Sequence, residues 1–285
     1  MTVIYGQEFM QGIVMIADSR ASKSDKPWAD NTQKIFRLGG HLFISFCGDI
    51  DFAGSIIEFL ITQINHKKEL SNPHIFFRKG PKLIKYAYDY LVLKSQRKPD
   101  IGFIVAGMDY DRPERVMENG KVTGYISNIF DKKTFKIYSP NFIPEEANFF
   151  KKPILALGSG AFLVNKFEND FKRLSNFGGI GPLHYHAMII SGAIKEEAEK
   201  AGETSVGGLF QIVVIDTEGS RFVPYKSRSS ENNDPNFLDL EMTMRDGRWV
   251  QRHLKTNKEV FLLHPPEVIK VNDDSAELFA LLNSV

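Results

Sequence analysis

Four residues near the start of the chain could act together. Thr2 directly follows Met1. Threonine is small enough for methionine aminopeptidase, so Thr2 can become the first residue. A free N-terminal threonine carries a hydroxyl nucleophile and an α-amine that can serve as its base. That amine has a pKa of about 7.7–8.0, so part of it is neutral near neutral pH and no histidine is needed. Asp18 closes the nearly continuous apolar run Gly12–Asp18, and Lys34 opens the run Lys34–Leu38. A carboxylate at the end of a buried strand is costly unless paired. If the two runs are neighbouring strands, Asp18 can hold Lys34, and the ammonium lowers the pKa of the Thr2 hydroxyl and amine. Gly48 falls where a strand meets a helix N-terminus, a place where a backbone N–H can face a developing oxyanion.

The elements that must position these groups are legible in outline. Two short strand pairs come first: residues 3–7 with 12–18, then 34–38 and 41–47 across Gly39-Gly40. Residues 21–31 read as a polar loop broken at Pro27. Asp49 or Asp51 caps a helix in which Phe52, Ile56, Ile57, Leu60, Ile61 and Ile64 share a face. A second helix is expected from about Pro81 to Lys94. Further strands are expected at 101–108, 134–138, 153–157, 210–216 and 221–225, with hairpin turns at Asn119-Gly120 and Thr217–Gly219. Helices are expected at 161–174 and 182–201. Strand pairs followed by helices imply an α+β protein rather than an alternating βαβ one. Residues 226–236 are polar and aperiodic, so 226–285 reads as a linker and extension, with a strand at 260–264 and a short helix near 275–282.

The stretch from Thr2 through Ala17-Asp18-Ser19-Arg20-Ala21, Lys34-Ile35 and Cys47-Gly48 resembles the opening of a proteasome β-type subunit, an N-terminal nucleophile (Ntn) hydrolase. The spacings among the four residues agree without a gap. The resemblance implies a four-layer αββα sandwich of two antiparallel sheets flanked by helices, over residues 1–225. It makes Thr2 nucleophile and base, Asp18 the residue that holds Lys34, Lys34 the group that tunes Thr2, and the Gly48 N–H the oxyanion hole. Ala156-Leu157-Gly158-Ser159-Gly160 resembles the segment that places a serine, here Ser159, beside the nucleophile. Ser205-Val206-Gly207-Gly208 resembles a turn bearing an acid and another serine. Alignment on its glycines gives Glu203 and Val206; a shift by one gives Ser205 instead. Phe46 falls where the family has its substrate side-chain pocket, and there it would favour small side chains; otherwise it fills the core.

Each of these residues also has a plainer role. Thr2 alone is a common second residue, Asp18 a turn, Lys34 a solvated strand-edge charge, Gly48 a turn glycine and Ser159 a helix cap. Cys47 ends a buried strand with nothing basic beside it, so an inert core thiol is expected. His184 and His186, two apart on a helix, face different sides and share no metal. The run Asp109–Glu114 lacks the glycine and terminal glutamate of a calcium-binding hand. No metal or cofactor is expected.

Composition excludes other classes. Thirty-six basic and 35 acidic residues leave a formal charge of +1, which gives no pull toward nucleic acid or an acidic membrane. No apolar stretch reaches the ~18 residues of a membrane span. The first twelve residues lack the basic and long apolar segments of a secretory leader. A single cysteine fits a reducing compartment, so a cytoplasmic location is expected. The expected activity is a threonine-type peptidase acting on peptide or protein substrates after Met1 is removed. The rivals are a non-catalytic ring subunit and a ligase or transpeptidase that passes the ester to an amine. The resemblance further implies a homo-oligomeric ring. An unfoldase ATPase is a partner that such a ring could take, but no residue here speaks for one.

Overall fold

The computed structural model describes residues 2–23, 26–29, 31–118, 121–170, 182–202, 206, 208–227 and 240–283. In chain order the strands begin with β1 (Ile4–Phe9), β2 (Gly12–Asp18), β3 (Ala21–Lys23), β4 (Lys26–Ala29), β5 (Ile35–Gly39) and β6 (Leu42–Gly48). Helices α1 (Ile50–His66) and α2 (Pro73–Ser95) follow, then β7 (Ile101–Glu118), β8 (Lys121–Tyr138), β9 (Glu145–Glu146) and β10 (Ile154–Leu157). After them come α3 (Ala161–Lys166), α4 (Leu183–Lys200), β11 (Phe210–Asp216), β12 (Gly219–Phe222) and β13 (Tyr225–Ser227). The chain closes with β14 (Leu240–Arg245), β15 (Arg248–His253), β16 (Glu259–Phe261) and α5 (Ala276–Asn283).

Two five-stranded antiparallel sheets form the centre, in the orders β10-β1-β2-β11-β12 and β5-β6-β7-β8-β9. Ile4, Ile16 and Val213 of the first meet Phe43, Ile104 and Ala106 of the second in one buried cluster, which extends outward to Leu183, Ile190 and Ile194 of α4. A second cluster joins the outer face of the β5–β9 sheet to α1 and α2 through Ile44, Phe46, Ile56, Leu60, Leu83 and Leu91. The result is the four-layer αββα sandwich. β1 and β2 are buried along their whole length, which explains their nearly unbroken apolar sequence.

The structure moves several boundaries. α2 begins at Pro73, capped by the Asn72 side chain on the Ile75 N–H, so Pro81 lies inside the helix instead of starting it. The segment expected as a polar loop carries the paired strands β3 and β4. β7 runs ten residues past Met108, β8 begins thirteen residues before Thr134, and the two pair through register shifts around Asp109 and Pro113. The Asn119-Gly120 turn lies outside the described residues, as does the end of the helix expected at 161–174. Tyr225 and the extension build a four-stranded antiparallel sheet, β13-β14-β15-β16, of which the sequence predicts the last strand.

Candidate active site

The site forms at one end of the sandwich, where β1 begins, β2 and β6 end and β5 starts. β1 and β2 pair with Ile4 opposite Ala17, which sets Asp18 beside Thr2–Val3. The Val3 N–H donates to Asp18 Oδ1 at 3.0 Å, and the Asp18 N–H donates to the Val3 carbonyl at 3.2 Å. Lys34 immediately precedes β5. Its ammonium donates to Asp18 Oδ1 at 2.8 Å, to Thr2 Oγ1 and to the Arg20 carbonyl. Lys34 is 2% exposed and Asp18 is fully buried.

Burial lowers the Lys34 pKa, and the Asp18 carboxylate opposes that fall by charge and hydrogen bond. The ammonium is thus held by one carboxylate while it presses on a hydroxyl. That is the arrangement that makes a hydroxyl easier to deprotonate.

Ser159 sits on the loop between β10 and α3. Its Oγ accepts from the Thr2 nitrogen at 3.2 Å. In the unprocessed chain that nitrogen is the Met1–Thr2 peptide N–H; it stands where the α-amine would be after Met1 is lost. The capping alternative for Ser159 fails, because α3 is capped at Gly160 without a side-chain bond. The Gly160 N–H donates to the Thr2 carbonyl at 3.1 Å.

Gly48 ends β6 with φ +101°, and a Cβ there would stand 2.2 Å from the Asp100 carbonyl, so the position requires glycine. Asp49 then caps α1, accepting from the Asp51 and Phe52 N–H groups. The end of β6 lies beside Thr2: a Cβ on Gly158 would be 2.1 Å from the Thr2 carbonyl oxygen and 3.4 Å from Cys47 Cβ.

Glu203 and Ser205 lie outside the described residues. Val206 is described and buried; its Cγ2 would be 2.5 Å from a Cβ on Gly160, which places an apolar side chain close to Thr2. Phe46 is 2% exposed and packs in the helix-side cluster against Phe36, at 6.3 Å between ring centroids. His186 is buried and stacked on Phe9, while His184 lies against Tyr185.

Sequence reading missed two buried residues that support the site. The Gln211 Oε1 accepts from the Lys34 N–H at 2.9 Å and the Ile35 N–H at 3.2 Å. The Ser19 Oγ accepts from the Leu209 N–H, and the Ser19 carbonyl accepts from the Thr32 N–H. A glutamine inside the apolar run Phe210–Asp216 was the available signal for the first.

Residues 2–124 match the Proteasome subunit family. Over this segment the chain is similar to the proteasome subunits. The match spans the stretch that carries Thr2, Asp18, Lys34 and Gly48, and it agrees with the αββα sandwich and with an Ntn-hydrolase type of protein. No curated protein matches the chain. Among the described residues, no helix is long and apolar enough to cross a membrane.

Cys47 also lies beside this proteasome-like site. Burial pushes its thiol up to about 12, against the pull of Lys34. It should therefore resist a disulfide reagent at pH 8 in the folded protein and react at once in urea; rapid native labelling would contradict this. The raised pKa also sets a sign. The unfolded thiol ionises near 8.5, so this group's contribution to stability is complete below that pH and is lost as pH rises toward 12.

Proposed function

We propose that the protein is a threonine-type N-terminal nucleophile peptidase that uses Thr2 after removal of Met1. The observation that carries this reading is the Lys34 ammonium, buried and donating to Asp18 and Thr2 Oγ1 together, with Ser159 on the Thr2 nitrogen.

In the proposed reaction the α-amine of Thr2 takes the hydroxyl proton, directly or through Ser159. Thr2 Oγ1 attacks the substrate carbonyl carbon, and the oxyanion is met by the Gly48 N–H. The α-ammonium returns its proton to the leaving amine as the C–N bond breaks, which leaves an ester on Thr2. Water attacks the ester, its C–O bond breaks, and the threonine hydroxyl and a carboxylic acid are released. Lys34 stays protonated throughout, and Asp18 balances its charge. Glu203 or Ser205 would support the amine. Phe46 would sit beneath the substrate side chain.

In this reading residues 1–225 are the hydrolase domain and 226–285 its extension. The protein works in the cytoplasm as a homo-oligomeric ring, which light scattering would test by its mass.

The decisive experiment is an intact mass before and after incubation with a peptide epoxyketone, which reacts with both the amine and the hydroxyl of an N-terminal threonine. The expected result is a chain lacking Met1 that gains one adduct, with none on Thr2→Ala. A chain that keeps Met1, or loses it and takes no adduct, would sink the peptidase reading in favour of a structural subunit.

A further inference from the structure

Lys34 enters β5 through Asn31-Thr32-Gln33, and β5 is the edge strand of its sheet. An edge strand leaves alternate backbone groups unpaired, and such groups demand partners when covered. On the inner side Gln211 supplies them: its Oε1 takes the Lys34 and Ile35 N–H groups, and its Nε2 donates to the Thr32 carbonyl at 3.0 Å.

On the outer side the partners come from the far end of the chain. The Leu263 N–H donates to the Asn31 carbonyl at 2.6 Å, and the Gln33 N–H donates to the Leu263 carbonyl at 2.9 Å. The Trp249 indole N–H donates to the Ile35 carbonyl at 3.3 Å. The His264 ring stands edge-on to Phe36 at 5.0 Å. Lys34 thus lies between two residues, Gln33 and Ile35, that are both tied to the extension.

The extension is itself firmly seated. Trp249 is 1% exposed and packs against Phe222 at 4.9 Å. The Leu262 N–H donates to the Trp249 carbonyl at 3.0 Å, which joins the two contact points into one unit. Beyond His264 the chain crosses α1 at Gly54, where a Cβ would stand 2.3 Å from the Pro266 carbonyl. Ser55 Oγ there accepts from the Val268 and Ile269 N–H groups. The chain then reaches α2, where Lys79 donates to the Leu282 carbonyl at 2.6 Å.

We infer that the C-terminal extension is a positioning element of the active site: Leu263 and Trp249 hold the Lys34 segment in the register that brings its ammonium to Asp18 and Thr2. This rests on the proposed nucleophile for its catalytic consequence, though not for the placement of Lys34. The two Leu263 bonds are made by the main chain, so a change that keeps the N–H should be silent and one that removes it should not. Leu263 is 45% exposed, which makes its side chain dispensable.

The test uses the full-length chain and the variants Leu263→Ala, Leu263→Pro and Trp249→Phe. Two quantities are followed by mass spectrometry: acetylation of Lys34 by an activated acetate ester, with Lys136 as internal reference, and the rate of epoxyketone capture at Thr2 across pH. Leu263→Ala should match the parent in both. Leu263→Pro and Trp249→Phe each remove one donor and should speed Lys34 acetylation about fivefold, with Lys136 unchanged. They should slow capture by about 10–100-fold. They should also move the acidic limb of the capture profile upward, because an ammonium that drifts from the Thr2 amine no longer depresses its pKa. General loosening of the fold would label both lysines and leave the limb in place.

Lys34 as protected in Leu263→Pro and Trp249→Phe as in the parent would overturn the inference. If Leu263→Pro does not fold, Trp249→Phe decides alone. A parent that takes no adduct would end the nucleophile reading, and acetylation of Lys34 would still decide whether the extension holds it.

Discussion

Lys34→Ala is expected to slow epoxyketone capture at Thr2 by about 1,000-fold or more and to cost the fold about 3–5 kcal/mol. Both effects have one cause. The ammonium lies 2.8 Å from a fully buried Asp18 carboxylate, and removing it leaves that charge uncompensated where water cannot reach. Stability and chemistry fall together, so the single variant does not separate them. Asp18→Asn with Lys34→Met does. The asparagine keeps an acceptor for the Val3 N–H, bonded at 3.0 Å to Asp18 Oδ1, and methionine fills the lysine stem's space without a charge. Replacing a buried pair by neutral groups of similar volume is often close to neutral for stability. The double variant should therefore recover most of the urea midpoint lost in Lys34→Ala and none of the capture. Near-parental capture in Lys34→Ala would remove the ammonium from the mechanism.

Why the front of the site could be read, and its supports could not, follows from how each is encoded. Asp18 is a charge at the end of a seven-residue buried strand, and Lys34 a charge at the head of the next apolar run. Each breaks a pattern, and each is visible for that reason. Gln211 also breaks a pattern, but a neutral amide inside Phe210–Asp216 signals only that a partner exists, not that the partner is the backbone of Lys34. β14 and β15 were hidden by Glu241, which is buried on its strand and ion-paired with Lys226 and Arg252. A buried charge there spoils the alternation that marks a strand. Their turn, Asp246-Gly247, with φ +50° and +75°, carries the usual two-residue hairpin signal and was the better clue. Pro81 misled in the opposite way. A proline often opens a helix, yet here Pro73 does so behind the Asn72 cap. The docking of Leu263 on Asn31 and Gln33 joins residues more than 200 positions apart through main-chain bonds. No side-chain pattern records such a contact.

The tightest geometric constraint on the proposed nucleophile comes from a glycine, and Gly158→Ala should show it. Gly158 has φ +89°, which disfavours any side chain, and its missing Cβ would lie 2.1 Å from the Thr2 carbonyl oxygen. That oxygen is not a flexible tip. It belongs to the backbone of Thr2 itself and accepts from the Gly160 N–H at 3.1 Å. Something must move by about an ångström, and the candidates are Thr2 and the loop that carries Ser159, two of the parts the proposed chemistry requires. A misplacement of that size costs about 100-fold in rate. The fold should suffer less than in Lys34→Ala, because no charge is stranded. The informative control is Gly192→Ala on α4, where a Cβ meets nothing within 4 Å. It should stabilise the protein by about 0.4–1 kcal/mol and leave capture unchanged. Parental capture in Gly158→Ala would mean that the backbone of Thr2 tolerates displacement, a result incompatible with the proposed nucleophile being held by Lys34 on its Oγ1 and Ser159 on its nitrogen.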